Sequence, residues 1–126
     1  MQAISIILPW PEAALSPNSR DRWGKIKAAK DARYLAQITT IEAGNPWNPG
    51  SRFTFDARLK ISFIFHPPTH RHYDLDGLVT RCKNYQDGIF DALNNNDNQI
   101  EVIEARLKDV VAGGSVTITI SEDNDD

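Results

Sequence analysis

Two aspartates one residue apart, in the stretch YDLDG at residues 73–77, are the residues of this sequence best suited to chemistry. They follow an apolar run that ends at Pro67 and Pro68, and a stretch with helical periodicity comes after them. The simplest interpretation of Asp74 and Asp76 is capping, because an Asp at a helix start accepts a hydrogen bond from an unpaired backbone N–H. One Asp would suffice for a cap. A second interpretation therefore stays open, in which both carboxylates point from one side of an extended segment and act as ligands.

A polar ridge continues from Asp76 along the helix predicted at residues 76–93. Steps of about 100° per residue place the ridge within about 60° of Asp76. Its members are Thr80, Lys83, Asp87 and Asp91. Arg81 lies about 140° away. The opposite side is the predicted core face, which consists of Leu78, Cys82, Tyr85, Ile89, Ala92 and Leu93. An ordinary exposed face stabilised by Lys83–Asp87 pairing explains the ridge equally well.

The loop after this helix adds Asp97, so three carboxylates could converge. Two unit charges about 4 Å apart repel by about 4 kcal/mol at an effective dielectric constant of about 20, and a divalent cation offsets that repulsion. No His or Cys lies close by at a coordinating spacing, so Asp74, Asp76 and Asp97 predict Mg²⁺ or Mn²⁺ rather than zinc. His70 and His72 flank this site, and surface residues are the simpler interpretation of both.

The distribution of charge matters more than the formal net charge of −3. Four acids lie in the last five residues, EDNDD. Residues 18–33 are locally basic, with two acids against six bases: Arg20, Arg22, Lys25, Lys27, Lys30 and Arg33. Such a patch suits phosphate binding, although a solvated helix face explains it more simply.

The predicted elements follow the order β-α-β-α-β-β. Period-2 and helical patterns give a strand at 4–11, a helix at 22–41, a strand at 53–68, a helix at 76–93, and strands at 101–111 and 115–121. The first helix is assigned from Trp23, Ile26, Ala29, Tyr34, Ile38 and Ile41; residues 44–51 form a loop; and Gly113 and Gly114 suit a tight hairpin. These elements predict an α+β fold with a mixed sheet and helices packed on it, in a single small domain at 1–121 with an acidic tail at 122–126.

The other sequence features predict a soluble, intracellular protein. Cys82 is the single cysteine, so it has no partner for an internal disulfide. No apolar run approaches the roughly 18 residues of a membrane span, and the first residues lack the pattern of a signal peptide. We expect Trp10, Trp23 and Trp47 to be core or interface residues rather than platforms for stacked bases.

Three stretches together resemble the RusA family of Holliday junction resolvases. SIILPWPEAALSPNSR at 5–20 is similar to the family's first strand and its Asn-containing turn. HRHYDLDGL at 70–78 resembles its basic residues followed by Asp-x-Asp, and DGIFDALNNNDNQIEVIEARL at 87–107 resembles its helix end, acidic loop and return strand. The resemblance covers most of the chain.

The resemblance implies a homodimeric, Mg²⁺-dependent endonuclease, of the kind many phages and prophages encode, that makes paired nicks in four-way DNA junctions. The family's metal-binding aspartates fall on Asp74, Asp76 and Asp97. Its Asn after the second Asp is Gly77 here. Because the helix is longer, the family's catalytic lysine meets Thr80, and Lys83 returns to the Asp76 face.

These features predict metal-assisted phosphodiester hydrolysis in DNA recombination and repair, in the cytoplasm of a bacterial or phage-infected cell. Asp74, Asp76 and Asp97 would hold Mg²⁺ or Mn²⁺, and Lys83 would stabilise the transition state. The residues expected to bind the DNA backbone are Arg20, Arg22, Lys25, Lys27, Lys30, Arg71 and His72. Two alternatives stay open: a junction-binding protein with weak or no catalysis, and a metal-dependent nucleotide hydrolase.

Overall fold

The computed structural model describes residues 3–15, 20–44, 53 and 57–123. The helices and strands are β1 (Ala3–Pro9), α1 (Arg22–Gly44), β2 (Leu59–His66), α2 (Leu75–Arg81), α3 (Lys83–Leu93), β3 (Ile100–Leu107) and β4 (Ser115–Glu122). Two 3-10 turns span Ala13–Leu15 and Asp97–Gln99. The predicted α+β class and the order of the elements are confirmed. Of the predicted loop at 44–51, Gly44 is the last residue of α1. Residues 45–51, including Trp47, and the last three residues of the acidic tail lie outside the described residues.

The four strands form one mixed sheet in the order β1-β4-β2-β3. β2 pairs with β3 in parallel, and β4 lies antiparallel to both β1 and β2. The predicted hairpin between the last two strands is therefore wrong, because β2 separates β3 from β4. Gly113 and Gly114 do adopt positive φ angles of 79° and 74°. β4 is central because it pairs with β1 on one side and with β2 on the other, whereas β3 is a mostly exposed edge.

The core lies between one face of the sheet and the helices. Alternation along β2 buries Leu59, Ile61, Phe63 and Phe65, as the period-2 pattern predicts. The same alternation buries Ile4, Ile6 and Leu8 of β1 and Val116, Ile118 and Ile120 of β4. Among the described residues, no helix is both long enough and apolar enough to cross a membrane.

All four predicted strands have different limits in the structure; β1 ends at Pro9 rather than at residue 11, and β3 ends at Leu107 rather than at residue 111. β2 begins at Leu59 rather than at residue 53, although Phe53 is buried. β4 runs through Glu122, and the backbone N–H of Asp123 donates to the carbonyl oxygen of Arg58 at 2.8 Å. The chain is therefore paired with the sheet for two residues beyond the predicted end of the domain.

Helix α1 buries a different face from the one its large apolar residues predict. Its buried positions are small: Ala28, Ala32, Ala36 and Thr40. Trp23, Ile26 and Tyr34 are instead exposed by 80%, 41% and 64%. The reason is the partner surface, because α1 packs against α3 at Gly88, where the backbone of Arg33 and the Cβ of Ala36 come very close. Only small side chains allow two helices to approach so closely.

The helix predicted at 76–93 is divided at Cys82 into α2 and α3. The N–H of Cys82 donates to the carbonyl of Val79, three residues back, instead of continuing the four-residue pattern of an α-helix. The hydroxyl of Thr80 also donates to the carbonyl of Asp76, a contact that often accompanies bending. The predicted core face nevertheless stays in register across the break, since all six of its residues are buried.

Candidate functional site

The two aspartates that open the site lie at the start of α2. Asp74 is the N-cap residue, with φ −84° and ψ 111°, and its carbonyl oxygen accepts from the N–H of Leu78 at 3.0 Å. Its carboxylate makes no capping hydrogen bond. Because α2 begins at Leu75, Asp76 lies in the first helical turn, and the predicted extended segment is wrong at this position.

Both carboxylates are available for a ligand. Asp74 and Asp76 are exposed, and neither side chain has an ion-pair or hydrogen-bond partner within the described ranges. The capping interpretation therefore explains the position of Asp74 in the chain but leaves the chemistry of its carboxylate unused.

Gly77 borders the Asp74 carboxylate. A Cβ placed on Gly77 would lie 3.3 Å from Oδ2 of Asp74, which is closer than ordinary contact. Asp74 is exposed, so its carboxylate can rotate away by a few tenths of an ångström. An asparagine at position 77, as in the RusA family that the sequence resembles, would therefore shift the position of the Asp74 carboxylate.

Gly77→Ala is expected to stabilise the fold by about 0.5–1 kcal/mol, because alanine in a helix loses less backbone entropy than glycine. Urea unfolding of the two proteins measures this difference. Destabilisation would show that the Asp74 carboxylate is held in place over Gly77 and cannot rotate away from the added methyl group.

Lys83 and Asp97 form the second part of the site. Lys83 Nζ lies 2.7 Å from Asp97 Oδ2 and 3.0 Å from Asp87 Oδ1, and Gln86 Nε2 donates to Asp97 Oδ2 at 3.4 Å. The predicted Lys83–Asp87 pair is thus present. The hydrogen bond with Asp97 raises the pKa of Lys83, and the same contact lowers the pKa of Asp97, so both groups stay charged at neutral pH.

A capping box fixes the loop that carries Asp97. The Asn96 side chain accepts from the N–H of Asn98 at 3.0 Å, and Gln99 Oε1 accepts from the N–H of Asn96 at 3.2 Å. Gln99 Nε2 also donates to the carbonyl of Ala57 at 3.0 Å, which ties the loop to the start of β2. These bonds hold Asp97 against α3.

Asp97→Asn is expected to lower stability at neutral pH, because it removes the ion pair with Lys83. The loss should be only about 0.5 kcal/mol, since this ion pair is partly exposed to solvent. The folded-state pKa of Asp97 lies below 3.8, so the stabilisation is present above that pH and is lost as pH falls through the lowered pKa. Urea unfolding at neutral pH and near pH 2.5 (about one unit below the usual range) measures the change. A difference between the proteins that grows in acid would contradict the ion pair.

A polar cleft of about 240 Å³ adjoins this pair, and Arg33, Asp87, Asp91 and Asp97 contribute to its lining. Within this lining, Arg33 donates two hydrogen bonds to Asp91, at 2.6 and 2.9 Å. This bidentate contact raises the pKa of Arg33. The acids of the predicted ridge are therefore paired with cations.

The predicted convergence of three carboxylates is not seen within one chain. In the part of the chain that the structure describes, no group of three or more His, Cys, Asp or Glu is arranged to hold a metal ion. Asp76 and Lys83 are seven residues apart, about 10 Å along a helix, and Lys83 points onward to Asp87 and Asp97. Asp74 and Asp76 thus form one part of the site, and Lys83 with Asp97 forms the other.

The predicted DNA-binding residues lie on two surfaces. On α1 and the residues before it, Arg20, Arg22, Lys27 and Lys30 are exposed and Lys25 is partly exposed. Lys27 pairs with Asp31 at 2.6 Å. Arg71 and His72 are exposed on the loop between β2 and α2, next to Asp74. All of them can reach a ligand in solution.

Cys82 is excluded as a nucleophile by its surroundings. It is fully buried, and burial raises the pKa of its thiol to about 12. The thiol therefore stays protonated at neutral pH, whereas nucleophilic attack needs the thiolate.

A second cleft, which the sequence pattern does not reveal, lies beside Asp74. Trp10, Tyr73, Arg71 and Arg81 contribute to its lining. Trp10 is partly buried, as expected, but it also faces this cleft. Its lining residues come from segments that are distant in sequence, so no local pattern signals the cleft.

Comparison with known proteins places the chain in a family without assigning an activity. No protein-family model matches it. A protein of Xylella fastidiosa (strain Temecula1 / ATCC 700964), described as an uncharacterized protein, is 39% identical over 122 residues, which cover 95% of this chain and 77% of that protein. The chain belongs to the same family as this Xylella fastidiosa protein.

Proposed function

We propose that this protein is a Mg²⁺-dependent endonuclease that cleaves four-way DNA junctions by paired phosphodiester hydrolysis, and that Mn²⁺ can replace Mg²⁺. The observation that carries the proposal is the state of Asp74. Its carboxylate lies at an N-cap position without capping the helix, and both it and Asp76 are exposed without partners among the described residues. The resemblance to the RusA family supports the same conclusion.

The chemistry of these donors suits an open magnesium site. Mg²⁺ is commonly bound through one or two carboxylates, with waters and substrate phosphates completing its shell. Asp74 and Asp76 would supply those carboxylates, and Asp97 would have to exchange its ion pair with Lys83 to serve as a third ligand. When bound, the ion supplies activation of a water molecule and neutralisation of charge on the leaving oxygen.

Lys83 would act on the DNA through its charge. Its raised pKa keeps the ammonium group protonated, so it can stabilise negative charge on the phosphate undergoing cleavage. In the structure the Lys83 ammonium group pairs with Asp87 and Asp97. Because the Lys83 side chain is half-exposed, it can replace one of these two contacts with a contact to a phosphate oxygen. Asp97 is therefore a positioning residue for Lys83 as well as a proposed ligand.

The basic residues would bind the DNA backbone and set its register. Arg71 and His72 lie beside Asp74, and the bases of α1 extend the contact. Paired nicks require two active sites, so we propose a homodimer whose two-fold symmetry matches that of the junction. Such a protein would work with DNA in the cytoplasm of a bacterial or phage-infected cell.

A second candidate function is supported by the separation of the carboxylates. The described residues contain no group of three acids arranged for a metal ion, and Gly77 stands where the resembling family has Asn. A protein of this kind would bind four-way junctions and cleave them weakly or not at all. A nucleotide hydrolase is a weaker alternative, since it would act on free nucleotides and ignore branched DNA.

One pair of assays separates these functions. Gel shifts in EDTA measure binding to a synthetic four-way junction and to a linear duplex of the same sequence, and denaturing gels then measure nicking after Mg²⁺ is added. The nuclease proposal requires preference for the junction and paired, Mg²⁺-dependent nicks. Junction binding without nicking would support the second candidate, and turnover of free nucleotides without junction preference would support the third.

A further inference from the structure

The aromatic cleft beside Asp74 has the size and chemistry of a ligand site. Its volume is about 540 Å³, and its lining includes Trp10, Pro68, Thr69, Arg71, Tyr73 and Arg81. Ligand-binding clefts commonly have volumes of about 300–1,000 Å³. Tyr73 and Arg71 of its lining belong to the segment that leads into Asp74, and Arg81 ends α2, so the cleft borders α2.

The aromatic side chains of the cleft are held in place by their neighbours. Trp10 makes edge contacts with Tyr73 and Phe65, with ring centroids 5.1 and 5.9 Å apart. A Cβ on Gly114 would lie 2.9 Å from the Cβ of Trp10, so the chain packs tightly behind this tryptophan. The hydroxyls of Tyr73 and Thr69 are hydrogen-bonded at 3.0 Å. A base that stacks here would meet rings that are already ordered.

Two arginines add positive charge to these rings. The Arg71 guanidinium lies 4.9 Å from the centre of the Tyr73 ring, and Arg81 lines the cleft on the α2 side. Among the described residues, Glu12 included, neither arginine has an ion-pair partner, whereas Lys83 is paired with two carboxylates. Among the described residues that line the cleft, Glu12 is the acidic one. The arginines are thus free to bind an anion.

We propose that this cleft binds one unpaired nucleotide of branched DNA, with its base against Trp10 and Tyr73 and its phosphate on Arg71 and Arg81. Aromatic rings accept any base by stacking, and arginine binds phosphate with paired N–H donors. This inference rests on the proposed function and adds a source of selectivity. A base at a branch point is readily unstacked, whereas a base inside a duplex must first be extruded at a cost in free energy.

The emission of Trp10 gives a direct test in EDTA, where cleavage cannot contribute. The chain has three tryptophans, so Trp23→Phe with Trp47→Phe leaves Trp10 as the single reporter. The probes are fluorescein-labelled oligothymidylate, a duplex of equal length and a decamer of proline. The decamer tests whether the aromatic cleft binds a peptide instead of a nucleotide. We expect saturable quenching of Trp10 by oligothymidylate. The duplex should quench Trp10 only weakly, even at concentrations where the anisotropy of its labelled strand shows that it is bound.

Substitutions in the unmodified chain provide the second measurement. Trp10→Leu, and separately Arg71→Met with Arg81→Met, should weaken oligothymidylate binding about tenfold, and the arginine changes should also reduce its salt dependence. Arg106→Met removes one exposed positive charge on β3, outside the described lining of the cleft, and as the control it should leave the affinity for oligothymidylate nearly unchanged. If Trp10→Leu does not fold, the arginine variants and the Trp10 emission still decide the question.

Several results would overturn the inference. They are unchanged Trp10 emission when anisotropy shows that oligothymidylate is bound, equal quenching by the duplex, or quenching by the proline decamer alone. Junction binding and nicking with no oligothymidylate binding would remove this cleft and leave the proposed nuclease. Quenching by oligothymidylate without any Mg²⁺-dependent nicking would retain the cleft and remove the nuclease.

Discussion

Replacement of Asp76 by asparagine is expected to slow Mg²⁺-dependent nicking of a four-way junction by at least about 100-fold. An amide oxygen carries no charge, so the remaining carboxylate would bind the ion weakly and the charge of the cleaved phosphate would be less well neutralised. Asp76 is exposed in the first turn of α2, so the fold should lose no more than about 1 kcal/mol of stability. Single-turnover nicking at saturating protein measures the chemical step separately from binding.

Asp109→Asn is the matched control for this substitution. Asp109 is exposed, and its contact with His66 is made by the backbone carbonyl oxygen, so the fold and the site should be unaffected. Junction affinity in EDTA should be similar for the wild type and both variants. Nicking by Asp76→Asn at the rate of the Asp109→Asn control would exclude Asp76 from the active site.

Replacement of Gly88 by alanine should destabilise the fold by about 3 kcal/mol, the largest effect on stability that we expect from a single methyl group. A Cβ at this position would overlap the carbonyl oxygen of Arg33 and lie 2.9 Å from the Cβ of Ala36. The obstacle is helix backbone, which cannot rotate away, so α1 and α3 would have to separate along their contact. Urea unfolding measures the loss.

Gly77→Ala is the matched control, because it makes the same change in a helix where the nearest neighbour is an exposed carboxylate. The two substitutions should have effects of opposite sign. If Gly88→Ala also stabilised the protein, the close approach of α1 and α3 in the structure would be wrong.

The parts of the fold that the sequence predicts well are those with a clear hydrophobic period. β2 and the core face of α2 and α3 are confirmed, because their large apolar residues point to one side. Helix α1 shows the limit of this reasoning. Its orientation depends on Gly88 of another helix, which selects the small face and leaves Trp23 and Tyr34 exposed. Hydrophobicity along one segment carries no information about the shape of its partner.

The position of β4 could not be predicted from local signals either. Gly113 and Gly114 have the expected positive φ angles, but a turn does not determine which strands become neighbours. β3 takes its place through parallel pairing with β2, which the intervening helices make possible. β4 lies between β1 and β2 and pairs with both of them.

The candidate site was predicted in part for similar reasons. The Lys83–Asp87 pair follows from helical spacing and is present at 3.0 Å. The contact between Lys83 and Asp97 depends on the path of the loop, which Asn96 and Gln99 fix through hydrogen bonds that no periodic pattern encodes. The cleft around Trp10 is built from segments distant in sequence, and only the fold brings them together.

Paramagnetic broadening by Mn²⁺ tests most directly whether Asp74 and Asp76 hold the catalytic metal ion. Mn²⁺ is titrated into isotope-labelled protein, and amide line widths are followed by NMR for the wild type and Asp74→Asn. We expect the signals of residues 73–78 to broaden first, and this broadening to be lost in the variant. Broadening confined to the polar cleft of Asp87 and Asp91, or no selective broadening at millimolar Mn²⁺, would contradict the proposed metal site.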